Sequence, residues 1–174
     1  MNWDNVNYFT PKEFYNSADL MHPTIIHNLD LSREYLKERI FPSPTEGALA
    51  RFGLGKGSQH FVGIDPDHIV RQSTAADVFI EGIPFLNYNA IVNSMLFSGI
   101  GIYLDTHGPD GLPWVMFHLD IRKNYTTINP LVWIAIKKLN QKGNSITTYH
   151  YPQNNSDLWK LLQRNIFFAA KEKE

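Results

Sequence analysis

Residues 100–104 and 114–121 are two short apolar runs of strand character joined by Asp105-Thr106-His107-Gly108-Pro109-Asp110-Gly111, and this arrangement restricts the fold more than any other stretch. The connection is rich in turn formers and a little longer than a tight hairpin, so the runs are expected to pair as neighbouring strands. Side chains alternate across a strand, so His118 and Asp120 would share one face while Leu119 enters the core.

The rest of the chain supplies helical patterns to cover such a sheet. Thr10-Pro11-Lys12-Glu13 combines a capping threonine, a proline at the first helical position and an acid at the third, which predicts a short helix within residues 8–19. Over 23–40, Ile25, Ile26, Leu29, Tyr35, Leu36 and Ile40 recur at roughly helical spacing, with Arg33, Glu34, Lys37 and Glu38 on the remaining face. Phe41-Pro42-Ser43-Pro44 ends that helix, since proline disfavours a helical residue before it. His22 and His27 are five positions apart, which puts them off a common helical face, and they read as structural.

Val78-Phe79-Ile80 reads as a short strand, and Phe85, Tyr88, Ile91, Val92 and Met95 predict a second helix over 84–97 that Gly99 ends. Two further helices are expected at 131–139 and 157–170, before the charge run Lys171-Glu172-Lys173-Glu174. Trp133, Trp159, Phe167 and Phe168 at helical positions read as core rather than as a carbohydrate platform. The expected class is therefore α+β: a single domain, 1–174, in which a small antiparallel sheet packs against helices and carries a helical C-terminal extension. With 174 residues, 43% of them hydrophobic, the chain can bury one sizeable core.

Charge and cysteine content narrow the function. A net charge of −1 with 19% charged residues gives no basic field for nucleic acid or an anionic membrane, and no apolar run is long enough to span a bilayer. Cysteine is absent, so disulfides and thiolate ligands are excluded and a metal site would have to use nitrogen and oxygen. His60 lies in a segment with five glycines between residues 46 and 63, Asp77 precedes the first strand, and His118 sits on the last. Together they read as a split three-ligand set: Zn2+ accepts imidazole and carboxylate in tetrahedral geometry, with the fourth position left to water.

At these residues the sequence resembles the M15 family of zinc peptidases, the D-alanyl-D-alanine carboxypeptidases and peptidoglycan endopeptidases that share a metal scaffold with Hedgehog domains. The family pattern SxHxxGxAxD is matched in two halves, Ser58-Gln59-His60-Phe61-Val62-Gly63 and Thr74-Ala75-Ala76-Asp77, separated by an inserted segment of ten residues, 64–73. Such an excursion is tolerable, because doubling a loop costs only about 0.6 kcal/mol. His68, inside it, reads as an exposed loop residue. Gly99-Ile100-Gly101-Ile102-Tyr103 and His118-Leu119-Asp120 resemble the family's late strands, and Tyr8-Phe9-Thr10-Pro11-Lys12-Glu13-Phe14 its opening. The likeness covers residues 8–122 and leaves 123–174 as an extension without a counterpart.

The resemblance implies a zinc-dependent peptidase acting on peptidoglycan stem peptides or cross-links, of the phage lysis or virion-associated kind. His60, Asp77 and His118 would hold Zn2+. Family members often carry a proton-transferring side chain two or three residues before the last ligand, where this chain has Met116 and Val115. Asp120 is then the candidate base or, alternatively, an acceptor orienting an imidazole; Asp105, His107 and Asp110 are further candidates. Arg51 is placed to hold a substrate carboxylate or oxyanion, Ser58 to bind substrate or cap a turn, and Arg122 and Lys123 to add positive charge. The alternative function is a non-catalytic structural or binding protein of a virion that keeps the scaffold. The N-terminus lacks a basic start and apolar core, so synthesis in the cytoplasm is expected, with action at the cell wall after release or within a virion. The C-terminal helices would complete the core or mediate homo-oligomer or virion assembly.

Overall fold

The computed structural model describes residues 2–53, 58–64, 70–139, 144–154 and 156–163. His68, Phe167, Phe168 and the terminal charge run lie outside the described residues. The fold is α+β. Nine strands are described: β1 (Ile40–Pro42), β2 (Arg51–Phe52), β3 (Phe61–Ile64), β4 (Val70–Arg71), β5 (Ala75–Ile80), β6 (Gly99–His107), β7 (Pro113–Asp120), β8 (Leu131–Leu139) and β9 (Ser145–His150). They form a six-stranded sheet in the order β1-β5-β7-β6-β8-β9 and a three-stranded sheet β2-β3-β4. The large sheet is antiparallel except where β8 runs parallel to β6. Helices α1 (Pro23–Leu36), α2 (Pro84–Ser94) and α3 (156–163) accompany it.

The hairpin forms as the pattern predicts, with β6 and β7 paired from Gly99↔Asp120 to His107↔Pro113. Its turn is tighter than expected. Asp105, Thr106 and His107 belong to β6, and Gly108 N–H donates to Leu112 O at 2.9 Å to close the loop. Alternation then sorts the sheet: Ala76, Val78, Ile100, Ile102, Phe117, Leu119, Ile134 and Ile136 face a core shared with Ile25, Ile26 and Leu29 of α1, Ile91 of α2, and Leu158 and Leu162 of α3. No described helix is long and apolar enough to cross a membrane.

Residues 131–139, expected as a helix, are the strand β8. Val132, Ile134 and Ile136 alternate with Leu131, Trp133 and Ala135, and a short apolar run fits periods of 2 and 3.6 almost equally; the bare edge of β6 resolves the choice. The extension thus begins with two sheet strands, β8 and β9, and only 156–163 is helical within the described residues. The first long helix also stops early. Lys37 takes a left-handed conformation (φ 59°), and Ile40 starts β1 instead of continuing α1.

The N-terminal segment behaves as its capping sequence requires. Pro11–Phe14 is a 3-10 turn, with the Glu13 carboxylate accepting from Thr10 N–H at 2.8 Å. Arg33 of α1 ties this turn to the sheet, donating to Glu13 at 2.8 Å and to the Ile40 carbonyl at 2.5 Å. His22 caps α1, its Nδ1 accepting from Thr24 N–H at 3.2 Å, and so has the structural role expected of it.

Candidate metal centre

Asp77, His118, Gly101 and Trp133 form one row across four strands, since Asp77 pairs with His118, His118 with Gly101 and Gly101 with Trp133. All four side-chain positions therefore face away from the helices. His60 arrives from the small sheet. Its carbonyl accepts from Arg51 N–H at 2.8 Å, its N–H donates to Ser58 Oγ at 3.3 Å, and the neighbouring Gln59 carbonyl accepts from Thr74 N–H at 2.8 Å. That last bond pins together the two ends of the inserted segment, which leaves as β3 and returns as its antiparallel partner β4. The halves of the split motif therefore meet in space although they are separated in sequence.

The three donor atoms converge. His60 Nε2 is 3.0 Å from His118 Nδ1 and 3.4 Å from Asp77 Oδ1, which lies 2.9 Å from His118 Nδ1. Ligands about 2.0–2.2 Å from a tetrahedral ion stand roughly 3.3–3.6 Å apart, so the triangle needs only a few tenths of an ångström of expansion to hold one. His60 Nδ1 is buried without a hydrogen-bond partner among the described residues, so the ring engages only at Nε2, toward the other two donors. A group of two imidazoles and one carboxylate in this geometry could hold a metal ion.

Behind His118 stands Asp120. Its Oδ2 is 3.0 Å from His118 Nε2, and it is fully buried. Arg122 clasps the same carboxylate, with Nε 2.8 Å from Oδ1 and 3.0 Å from Oδ2, and Nη2 on Oδ2. Burial opposes charge on Asp120, but the hydrogen bonds from Arg122 and His118 outweigh it and hold the carboxyl at about 2. Burial likewise opposes charge on Asp77, whose carboxyl is held at about 2 by its hydrogen bonds with His118 and His60. His118 is pulled down by burial and more strongly up by Asp120 and Asp77, to about 9, so without metal it is an imidazolium between two carboxylates. Metal binding must displace its Nδ1 proton.

The donors open into a cleft of about 660 Å3, lined in part by Glu46, Arg51, Ser58, Tyr103, Lys137 and Tyr149. Arg51 and Ser58 thus lie beside the triad as expected, with Ser58 also serving its turn. Asp120 does not line the cleft, and neither do Asp105, His107 or Asp110. Asp105 instead accepts from Lys137 N–H at 2.7 Å, and Asp110 from Leu112 N–H and the Trp114 indole at 3.0 and 3.2 Å. Sequence reasoning missed Glu46, Lys137 and Tyr149. Glu46 lies in the same glycine-bearing segment as Arg51, a signal that could have found it, whereas β9 had not been recognised as a strand. Comparison of the chain with protein-family models, curated proteins and solved structures finds no match.

Proposed function

We propose that the protein is a zinc-dependent peptidase that hydrolyses peptidoglycan stem peptides or cross-links, with His60 Nε2, Asp77 Oδ1 and His118 Nδ1 as ligands. The observation that carries this reading is the convergence of the three donors at near-tetrahedral spacing beside an open cleft. A mixed nitrogen and oxygen set without thiolate suits Zn2+ and leaves a position for water. When bound, the ion lowers the pKa of that water toward about 7. The resemblance of the two motif halves and the late strands to M15 peptidases supports peptidoglycan as the substrate and a phage lysis or virion-associated setting.

Glu46 takes the role of proton carrier in this reading. Apart from Asp77 it is the one carboxylate among the described residues that lines the cleft, and it is exposed. Arg51 supplies a guanidinium for a substrate carboxylate or the developing oxyanion. Asp120 orients His118 from behind, because both of its oxygens are already engaged. A second reading, a non-catalytic virion protein that retains the metal, is favoured by apolar Val115 and Met116 where relatives place an ionisable group.

Digestion of purified sacculi, with and without chelator and with Glu46→Gln, tests both. Release of new amino termini that chelator and Glu46→Gln each abolish is the expected result. About one zinc per chain without any release selects the virion protein, and a chain that takes up no metal overturns the proposal.

A further inference from the structure

His118 sits in a closed ring of four side chains. Its Nε2 is 3.0 Å from Asp120, and Arg122 grips that carboxylate through Nε at 2.8 Å. The Arg122 guanidinium carbon lies 4.9 Å from the Trp133 ring centre, and the Trp133 ring returns to 5.2 Å from the His118 ring. Three members come from β7 and the residue pair after it; the fourth comes from β8. Two glycines let the ring close. A Cβ on Gly101 would stand 2.5 Å from the Trp133 indole, and one on Gly99 would strike the Asp120 carboxylate.

An imidazole can present either nitrogen to a metal, and the hydrogen bond made by one nitrogen decides which. In this site Nδ1 points to His60 and Asp77 only while Nε2 is held on Asp120. Asp120 is in turn fully buried and gripped by Arg122, and the Arg122 guanidinium is itself held in place by its stack on Trp133. We propose that Trp133 and Arg122 are positioning residues of the metal centre, locking Asp120 onto Nε2 and thereby fixing His118 as an Nδ1 ligand. This inference rests on the metal-centre part of the proposed function and not on peptidase activity. It gives β8, which lies beyond the stretch that resembles known peptidases, a part in metal binding.

Competitive Zn2+ titration, with Co2+ absorption as a probe of ligand geometry, tests the clamp in Trp133→Ala, Trp133→Phe and Arg122→Lys. Trp133→Ala should weaken Zn2+ binding about 10- to 100-fold and alter the visible Co2+ bands, and Trp133→Phe should restore most of both because a phenyl ring still stacks on His118 and Arg122. Arg122→Lys, which removes the planar fork, should weaken binding by about tenfold. If Trp133→Ala does not fold, Trp133→Phe against Arg122→Lys carries the same test. Variants that melt earlier without metal yet keep the wild-type Kd and Co2+ spectrum would show a merely structural role and overturn the clamp. Wild-type protein that takes up neither ion overturns the metal centre itself.

Discussion

The two faces of the six-stranded sheet share their strands and register but are built on different terms. On the helix side, Val78, Ile100, Ile102, Phe117, Leu119 and Ile134 are buried among other apolar side chains, and each contributes in rough proportion to the area it removes from water. On the opposite side, Asp77, His118, Asp120 and Arg122 are held by pairings in which each group depends on the next. An apolar face tolerates a volume-conserving exchange; a chain of buried charges does not tolerate the loss of a member, because the survivor is left unpaired. The helix side is therefore where stability originates, and the cleft side is where stability is exposed to pH and metal.

The sharpest way to break this comparison is to remove bulk from the helix side. Phe117→Ala should lower the unfolding free energy by about 3–5 kcal/mol in denaturant titration while the folded fraction still binds Zn2+. A smaller loss, about 2–3 kcal/mol, is expected for Asp120→Ala without metal, since Arg122 can swing toward solvent once its partner is gone. Unlike Phe117→Ala, that variant should also lose metal affinity.

Acid and base separate the faces more gently. His118 titrates near 9 in the folded protein against 6.5 when unfolded, so its contribution is complete below about pH 6.5 and is lost as pH rises through about 9. Asp77 and Asp120 titrate near 2 against 3.8, so theirs is complete above about pH 3.8 and is lost as pH falls through about 2. Melting temperature of chelator-treated protein should accordingly form a plateau from about pH 4 to 6.5 and decline on both sides. Zinc, which replaces the Nδ1 proton, should flatten the alkaline decline. The smallest expected effect on stability belongs to Glu46→Gln, within about 0.5 kcal/mol by thermal melt, even though it is expected to abolish cleavage.

How much of this was legible beforehand depended on whether the signal was local. The hairpin of β6 and β7 and the capped N-terminal turn follow from side-chain chemistry within short windows, and the donor set His60, Asp77 and His118 was marked by the resemblance of two motif halves and a late strand. The identity of β8 did not, because Leu131 to Ile136 satisfies two periodicities and the edge of β6 decides between them. The setting of Asp120 was equally hidden. Its position two residues after His118 puts it on the ligand's face, but only distances reveal that His118 and Arg122 use both its oxygens and keep it out of the cleft. Glu46 escaped notice although it shares the glycine-bearing segment with Arg51, because only the fold shows that this connecting segment lines the cleft.

Gly99 and Gly101 offer no side-chain donor, yet the carboxylate of Asp120 and the indole of Trp133 occupy the space where their side chains would stand. In a library of random substitutions selected for metal retention, codons 99 and 101 should therefore be depleted about as severely as 60, 77 and 118. A residue contributing only vacancy would register in such a selection as if it were a ligand.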